Sequence, residues 1–104
     1  MTETEFNQRV DATLMQIEGA IEASGADIEY ETASGILTLE FADGSKIIIN
    51  RQGATQELWV AAKAGGFHYR WADGAWRNTR DGSELLAALS GYVSQQAGES
   101  VKLG

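Results

Sequence analysis

Between Lys46 and Trp71 the chain reads Lys-Ile-Ile-Ile-Asn-Arg-Gln, then Glu-Leu-Trp-Val-Ala-Ala-Lys, then Gly-Gly-Phe-His-Tyr-Arg-Trp, with Gly53-Ala54-Thr55 and Ala64-Gly65-Gly66 at the breaks. Each run is rich in β-branched or aromatic residues and each break in turn-formers. The stretch therefore predicts successive strands joined by short loops, which makes them antiparallel neighbours. Side chains alternate across a strand, so charge tells which way each residue faces. Trp59 shares its side with Lys63 and looks outward, leaving Leu58, Val60 and Ala62 inward. In the run before it, Lys46, Ile48, Asn50 and Gln52 look outward and leave Ile47 and Ile49 to the core. An outward indole beside Asn50 and Gln52 is a ring lying flat on a solvated sheet, a sign of shifted register, or a contact surface.

The flanks complete the architecture. Upstream, Phe6, Val10, Thr13, Leu14, Ile17 and Ile21 recur at helical spacing and predict an amphipathic helix from Glu3 to Ser24. Thr2 or Thr4 caps it, Glu3 and Glu5 suit its positive end, and Ser24-Gly25 closes it. Asp27 to Thr32 alternates strictly, with its acids on one side and Ile28 and Tyr30 on the other. After Ser34-Gly35, a strand from Ile36 to Phe41 turns Leu37, Leu39 and Phe41 one way, and Asp43-Gly44 makes a tight hairpin into Lys46. Downstream, Asp73-Gly74 turns into a short strand Ala75 to Asn78. Asp81 and Glu84 have capping-box spacing, with Asp81 as cap of a helix to about Gln96 whose apolar side carries Leu85, Leu86, Leu89, Tyr92 and Val93. Gly98 stops it, and the remainder reads as tail. The expectation is an α+β two-layer sandwich over residues 1–104, a single domain with two helices on one face of a roughly six-stranded antiparallel sheet.

Composition narrows the chemistry. Without Cys the chain holds neither a disulfide nor a thiolate-bound metal, and no apolar run approaches the roughly 18 residues of a membrane span. Fifteen acidic against eight basic residues give a net charge of -7, which argues against nucleic acid and for a cation, a basic protein surface, or solubility alone. Asp11, Glu18 and Glu22 fall in a narrow arc at one edge of the helical apolar stripe. Glu18 and Glu22, four apart, repel, and no Lys or Arg of the helix relieves them. Asp27, Glu29 and Glu31 of the first strand are expected along the same edge, by chain proximity. Such a row is a solvated flank, a docking strip for an Arg/Lys-rich partner, or a site for hard cations such as iron, manganese or calcium, bound weakly because no tight loop gathers the ligands. His68 shares its side with Arg70, which disfavours a cation there, and reads as surface. No nucleophile elbow is present, and Asp43-Gly44-Ser45-Lys46 and Ala64-Gly65-Gly66 are turns without a following helix to cradle phosphate. No catalytic residue is assigned.

The segments Asp43-Gly-Ser-Lys-Ile-Ile-Ile-Asn-Arg-Gln52 and Glu57-Leu-Trp-Val-Ala-Ala-Lys-Ala-Gly-Gly-Phe-His-Tyr69, Trp76 after the next turn, and the acidic first helix and strand together resemble the frataxin family, most closely its bacterial branch. The resemblance spans essentially the whole chain. It implies a frataxin-like sandwich and a place in iron–sulfur cluster assembly. It further implies weak binding of ferrous or ferric iron through the acidic ridge, and contact with the cysteine desulfurase and the cluster scaffold protein. Glu18, Glu22, Asp27, Glu29 and Glu31 match ridge positions, and Asn50, Gln52 and Trp59 match the sheet surface used for partner contact. Gly19 and Ala23 stand where the bacterial family often continues its acidic run, and Arg70 replaces a frequently acidic residue, so this ridge is thinner. The acidic Met-Thr-Glu-Thr-Glu start is expected of the cytoplasmic bacterial branch, whose members regulate the desulfurase, and a monomer that oligomerises with iron is expected. The implied function is a non-enzymatic iron-binding adaptor. The alternatives are a ferroxidase or iron store, which lacks a helix-bundle Glu-x-x-His motif here, and an acidic docking adaptor with incidental metal binding.

Overall fold

The structure, a computed structural model, describes residues 1–104 as α1 (Glu3–Ser24), β1 (Ile28–Ala33), β2 (Ile36–Phe41), β3 (Lys46–Gln52), β4 (Glu57–Ala62), β5 (Gly65–Ala72), β6 (Ala75–Asn78) and α2 (Leu85–Ala97). Thr2 is the cap of α1: its hydroxyl accepts from the Glu5 amide at 3.1 Å while the Glu5 carboxylate accepts from the Thr2 amide at 3.3 Å. Gly25 ends the helix in the left-handed region, φ 70°, where a residue without Cβ has no steric cost. Phe6, Val10, Thr13, Leu14, Ile17 and Ile21 are all buried, as the helical spacing predicts.

Each strand pairs antiparallel with the next, in the order β1-β2-β3-β4-β5-β6. Leu37, Leu39, Phe41, Ile47, Ile49, Leu58, Val60, Tyr69 and Trp76 turn to one side and share a core with the α1 stripe and with Leu85, Leu89 and Val93 of α2. The other side carries Glu29, Glu31, Ile48, Asn50, Trp59, His68 and Arg70 and has no helix over it. We refer to it as the open face. The expected two-layer sandwich is therefore the observed fold.

Two inward polar contacts tie the first helix to distant strands. The Trp76 indole Nε1 donates to Thr13 Oγ1 at 2.9 Å, with Phe6 and Trp71 edge-on to its ring. Arg51, inward by the alternation that buries Ile47 and Ile49, donates through Nη1 to Asn7 Oδ1 at 2.8 Å and through Nη2 to the Asp11 carboxylate. Gly35 leaves room for it: φ is +76°, and a Cβ there would stand 2.8 Å from Arg51 Nε.

Sequence reasoning failed at the C-terminal end. The cap of α2 is Glu84, not Asp81: the Glu84 carboxylate accepts from the amides of Leu86 at 2.7 Å and Ala87 at 3.1 Å. Asp81 is consumed by Ser83, accepting from its amide at 2.9 Å and its hydroxyl at 2.6 Å, and Gly82 at φ 75° turns the chain before the helix starts. The segment after Gly98 is no loose tail. Val101 and Leu103 are each 4% exposed. They are pinned to α2 by Ser94 Oγ, which accepts from the Val101 amide at 2.9 Å, and Ser90 Oγ, which accepts from the Leu103 amide at 2.9 Å.

Deleting residues 101–104 should cost about 3–6 kcal/mol, the burial of one Val and one Leu side chain, read as a lower denaturant midpoint, while Lys102→Ala should be near neutral. A deletion effect below about 1 kcal/mol would place the segment outside the cooperative unit.

Candidate functional site

The last turns of α1 lie beside the edge strand β1. Glu18 Oε2 accepts from Thr32 Oγ1 at 3.1 Å, and Glu22 lies against the Tyr30 hydroxyl. The Tyr30 pKa is pushed up by desolvation first, then by the negative charges of Glu22 and Glu18. Tyr30 and Thr32 point to the helix side, so Glu29 and Glu31 of the same strand point to the open face. Proximity of the helix and strand acids is therefore real, but they occupy the two sides of one edge. Asp27 stands exposed just before β1.

On the open face Glu29 is directly opposite Glu40, and Glu40 opposite Lys46, whose Nζ is 3.9 Å from the Glu40 carboxylate. Sequence reasoning missed Glu40, although its alternation with Leu39 and Phe41 already turned it outward. Asp11 departs from the row: it is ion-paired with Arg51 of β3, a cation that the helix sequence alone does not reveal. No three carboxylate or imidazole side chains converge as a ready-made metal centre. What the edge offers is single and paired carboxylates in water, an arrangement suited to weak and exchangeable capture of hard cations.

The second feature is at the centre of the open face. Asn50, Trp59 and His68 stand directly opposite one another across β3, β4 and β5. The Trp59 and His68 rings stack at 4.4 Å, 8° from parallel. With Ile48, Ala61 and Phe67 they line a shallow depression of about 260 Å³. Trp59 is half-buried on the side the alternation assigned to it, and Gln52 flanks it in the next row.

Beneath this stack is a residue that sequence reasoning passed over. Glu57 is on the open face yet only 6% exposed. It accepts from Trp59 Nε1 at 2.9 Å and from Arg70 Nη2 at 2.8 Å, with His68 Nδ1 3.7 Å away. These contacts, the indole hydrogen bond foremost, hold its carboxyl below the usual range against the opposing effect of desolvation. The signal was present as an opposite-charge cross-strand pair, Glu57 facing Arg70, two residues before an outward Trp.

Glu57→Gln should cost about 1.5–3 kcal/mol at neutral pH, the scale of a hydrogen bond to a charged group. A carboxyl with a lowered folded-state pKa stabilises fully above its unfolded value, 4.5, and this contribution disappears as pH falls through the folded value. Thermal midpoints measured from pH 6 down to pH 3 should therefore fall less steeply for Glu57→Gln than for the parent; parallel curves would refute the linkage.

A family model described as a frataxin-like domain matches residues 1–99. The chain is similar to the iron–sulfur cluster assembly protein CyaY of Paraburkholderia phymatum, 50% identical over 103 residues, which cover 99% of this chain and 98% of the relative. It also resembles the solved frataxin of Psychromonas ingrahamii, described within the CyaY protein family, with a TM-score of 0.94, 39% identity and coverage of 100% and 99% of the two chains. The trimeric frataxin of the yeast Saccharomyces cerevisiae, solved complexed with ferrous, aligns with a TM-score of 0.72 at 25% identity over 95% of this chain and 88% of that one. A family match that runs almost end to end, over the same two helices and six-stranded meander, means that this chain belongs to the frataxin family, beside the bacterial CyaY proteins.

Proposed function

We propose that the protein is a non-enzymatic, iron-responsive adaptor of iron–sulfur cluster assembly. The role in assembly is supported by the names of its relatives, and the iron by the ferrous complex of the yeast frataxin. The observation that carries the mechanism is the packing of α1 beside β1, which lines one edge with half-buried Glu18 and the exposed carboxylates of Glu22, Asp27, Glu29 and Glu31, which do not gather into a centre. Glu18, Glu22, Asp27, Glu29 and Glu31 take iron weakly and release it. Asp11 contributes least, because Arg51 already neutralises it. The same negative edge docks on a basic patch of the cysteine desulfurase, while Asn50, Gln52 and Trp59 contact the cluster scaffold protein. Iron on the edge cancels charge that docking needs, so iron supply sets occupancy of the desulfurase. A ferroxidase or iron store would need the convergent ligands that this edge lacks.

An anaerobic ferrous titration followed residue by residue by NMR should broaden or shift Glu18, Glu22, Glu29 and Glu31 selectively. The same pattern with magnesium, or none, would leave an acidic docking adaptor with incidental metal binding. The double change Glu18→Lys with Glu22→Lys should weaken desulfurase binding at least about ten-fold, with a smaller salt dependence; unchanged affinity would end the docking half. Trp59→Ala should still fold, at a cost of about 1–3 kcal/mol for the lost bond to Glu57, and weaken scaffold binding by about 2 kcal/mol or more.

A further inference from the structure

The open face is polarised. Glu29, Glu31 and Glu40 occupy its β1–β2 side, and Arg70 and Arg77 its β5–β6 side, beside His68. Strand register sets Gln52, Glu57, Arg70 and Arg77 in one transverse row, directly opposite one another in turn. Arg70 and Arg77 are thus a like-charge pair facing each other across two strands, an arrangement that lowers stability. Glu57 balances Arg70, which still leaves the Arg70 side chain 61% exposed. Arg77 makes no salt bridge, although the chain carries fifteen acids. In a protein of net charge -7, a cationic pair beside the one stacked indole suits an anionic counterpart from outside.

We propose that the β5–β6 border recognises an acidic segment of the partner that covers Trp59. Its carboxylates bridge Arg70 and Arg77 in the forked geometry that guanidinium favours, while an apolar residue of the same segment covers the Trp59–His68 stack. This deepens the reading of the open face as a docking surface and rests on it. Nucleic acid is a poorer occupant, because a polyanion would meet Glu29, Glu31 and Glu40 on the same face. Charge polarity across the face then orients the partner, its acidic part over β5–β6 and away from the carboxylates of β1–β2.

The test is Arg77→Glu, compared with Trp59→Ala, in binding to the scaffold protein over a range of salt. Arg77→Glu turns a repulsive cross-strand pair into an attractive one, so its thermal midpoint should hold or rise while affinity falls about ten-fold and the salt dependence flattens. Parent-like affinity for Arg77→Glu, with binding lost in Trp59→Ala, overturns the inference and leaves the docking face standing. If Trp59→Ala also binds normally, the docking reading fails, and a hexaglutamate peptide titrated by NMR decides on the arginines alone. Shifts confined to His68, Arg70 and Arg77 and lost in Arg77→Glu sustain the inference. Absent shifts, or equal ones with inorganic phosphate, overturn it.

Discussion

Two helices can shield one side of a six-stranded sheet and no more, and the rest of the molecule is arranged around that limit. The shielded side is apolar from Leu37 through Trp76, and most of the polarity admitted there is bonded, Thr13 to Trp76 and Asn7 and Asp11 to Arg51, while Arg51 Nε and the Tyr69 hydroxyl are buried without a partner. The uncovered side has to live in water while keeping its strands paired. It does so with charges at its two borders and amides between them. Ile36, Ile48 and the half-buried Trp59 are the apolar exceptions, and the indole is tolerable because Glu57 satisfies its N–H and His68 covers one flank of its ring. An uncovered face that remains soluble and yet holds a fixed indole is what makes this fold usable as a binding surface.

The acids divide into two populations that composition alone does not separate. Some are committed to the protein's own donors. Asp43 accepts from Ser45 and from Lys63, which lowers its pKa to about 2, and Glu5, Glu57 and Asp81 are held low by the hydrogen bonds of Thr2, Trp59 and Ser83. Their charge is structural. Glu22, Asp27, Glu29 and Glu31 have no salt-bridge partner and face water, so their mutual repulsion is relieved only by something from solution. The negative edge is thus a matter of which carboxylates the fold leaves over.

Most of the fold was legible because its rules are local. The α1 stripe, the facing of β2 to β4 and the outward side of Trp59 follow from periodicities of a few residues, and all are found in the structure. The failures involve competition or distance. Asp81 and Glu84 both suit a cap, and only the turn at Gly82 decides between them. Nothing near Val101 or Leu103 announces the bonds to Ser90 and Ser94, and nothing in α1 announces that Arg51 comes to Asp11 from 40 positions away. The ridge was legible as a set of residues, but its division between the two sides of β1 needed the sheet. Glu57 stayed hidden because an acid on an outward position is ordinarily solvated, and its burial depends on two neighbours supplied by β4 and β5.

The bond between Trp76 and Thr13 spans 63 positions, joining the first element of the chain to the last strand. The hairpins between them close over short loops and form locally, whereas this contact closes a long one. In kinetic terms the part of the α1 stripe that meets Trp76 lacks that cover until β6 has docked, even where β2 to β4 already shield the rest. Consolidation of the first helix thus waits in part on the last strand, and until that strand docks the uncovered part of the stripe is open to aggregation.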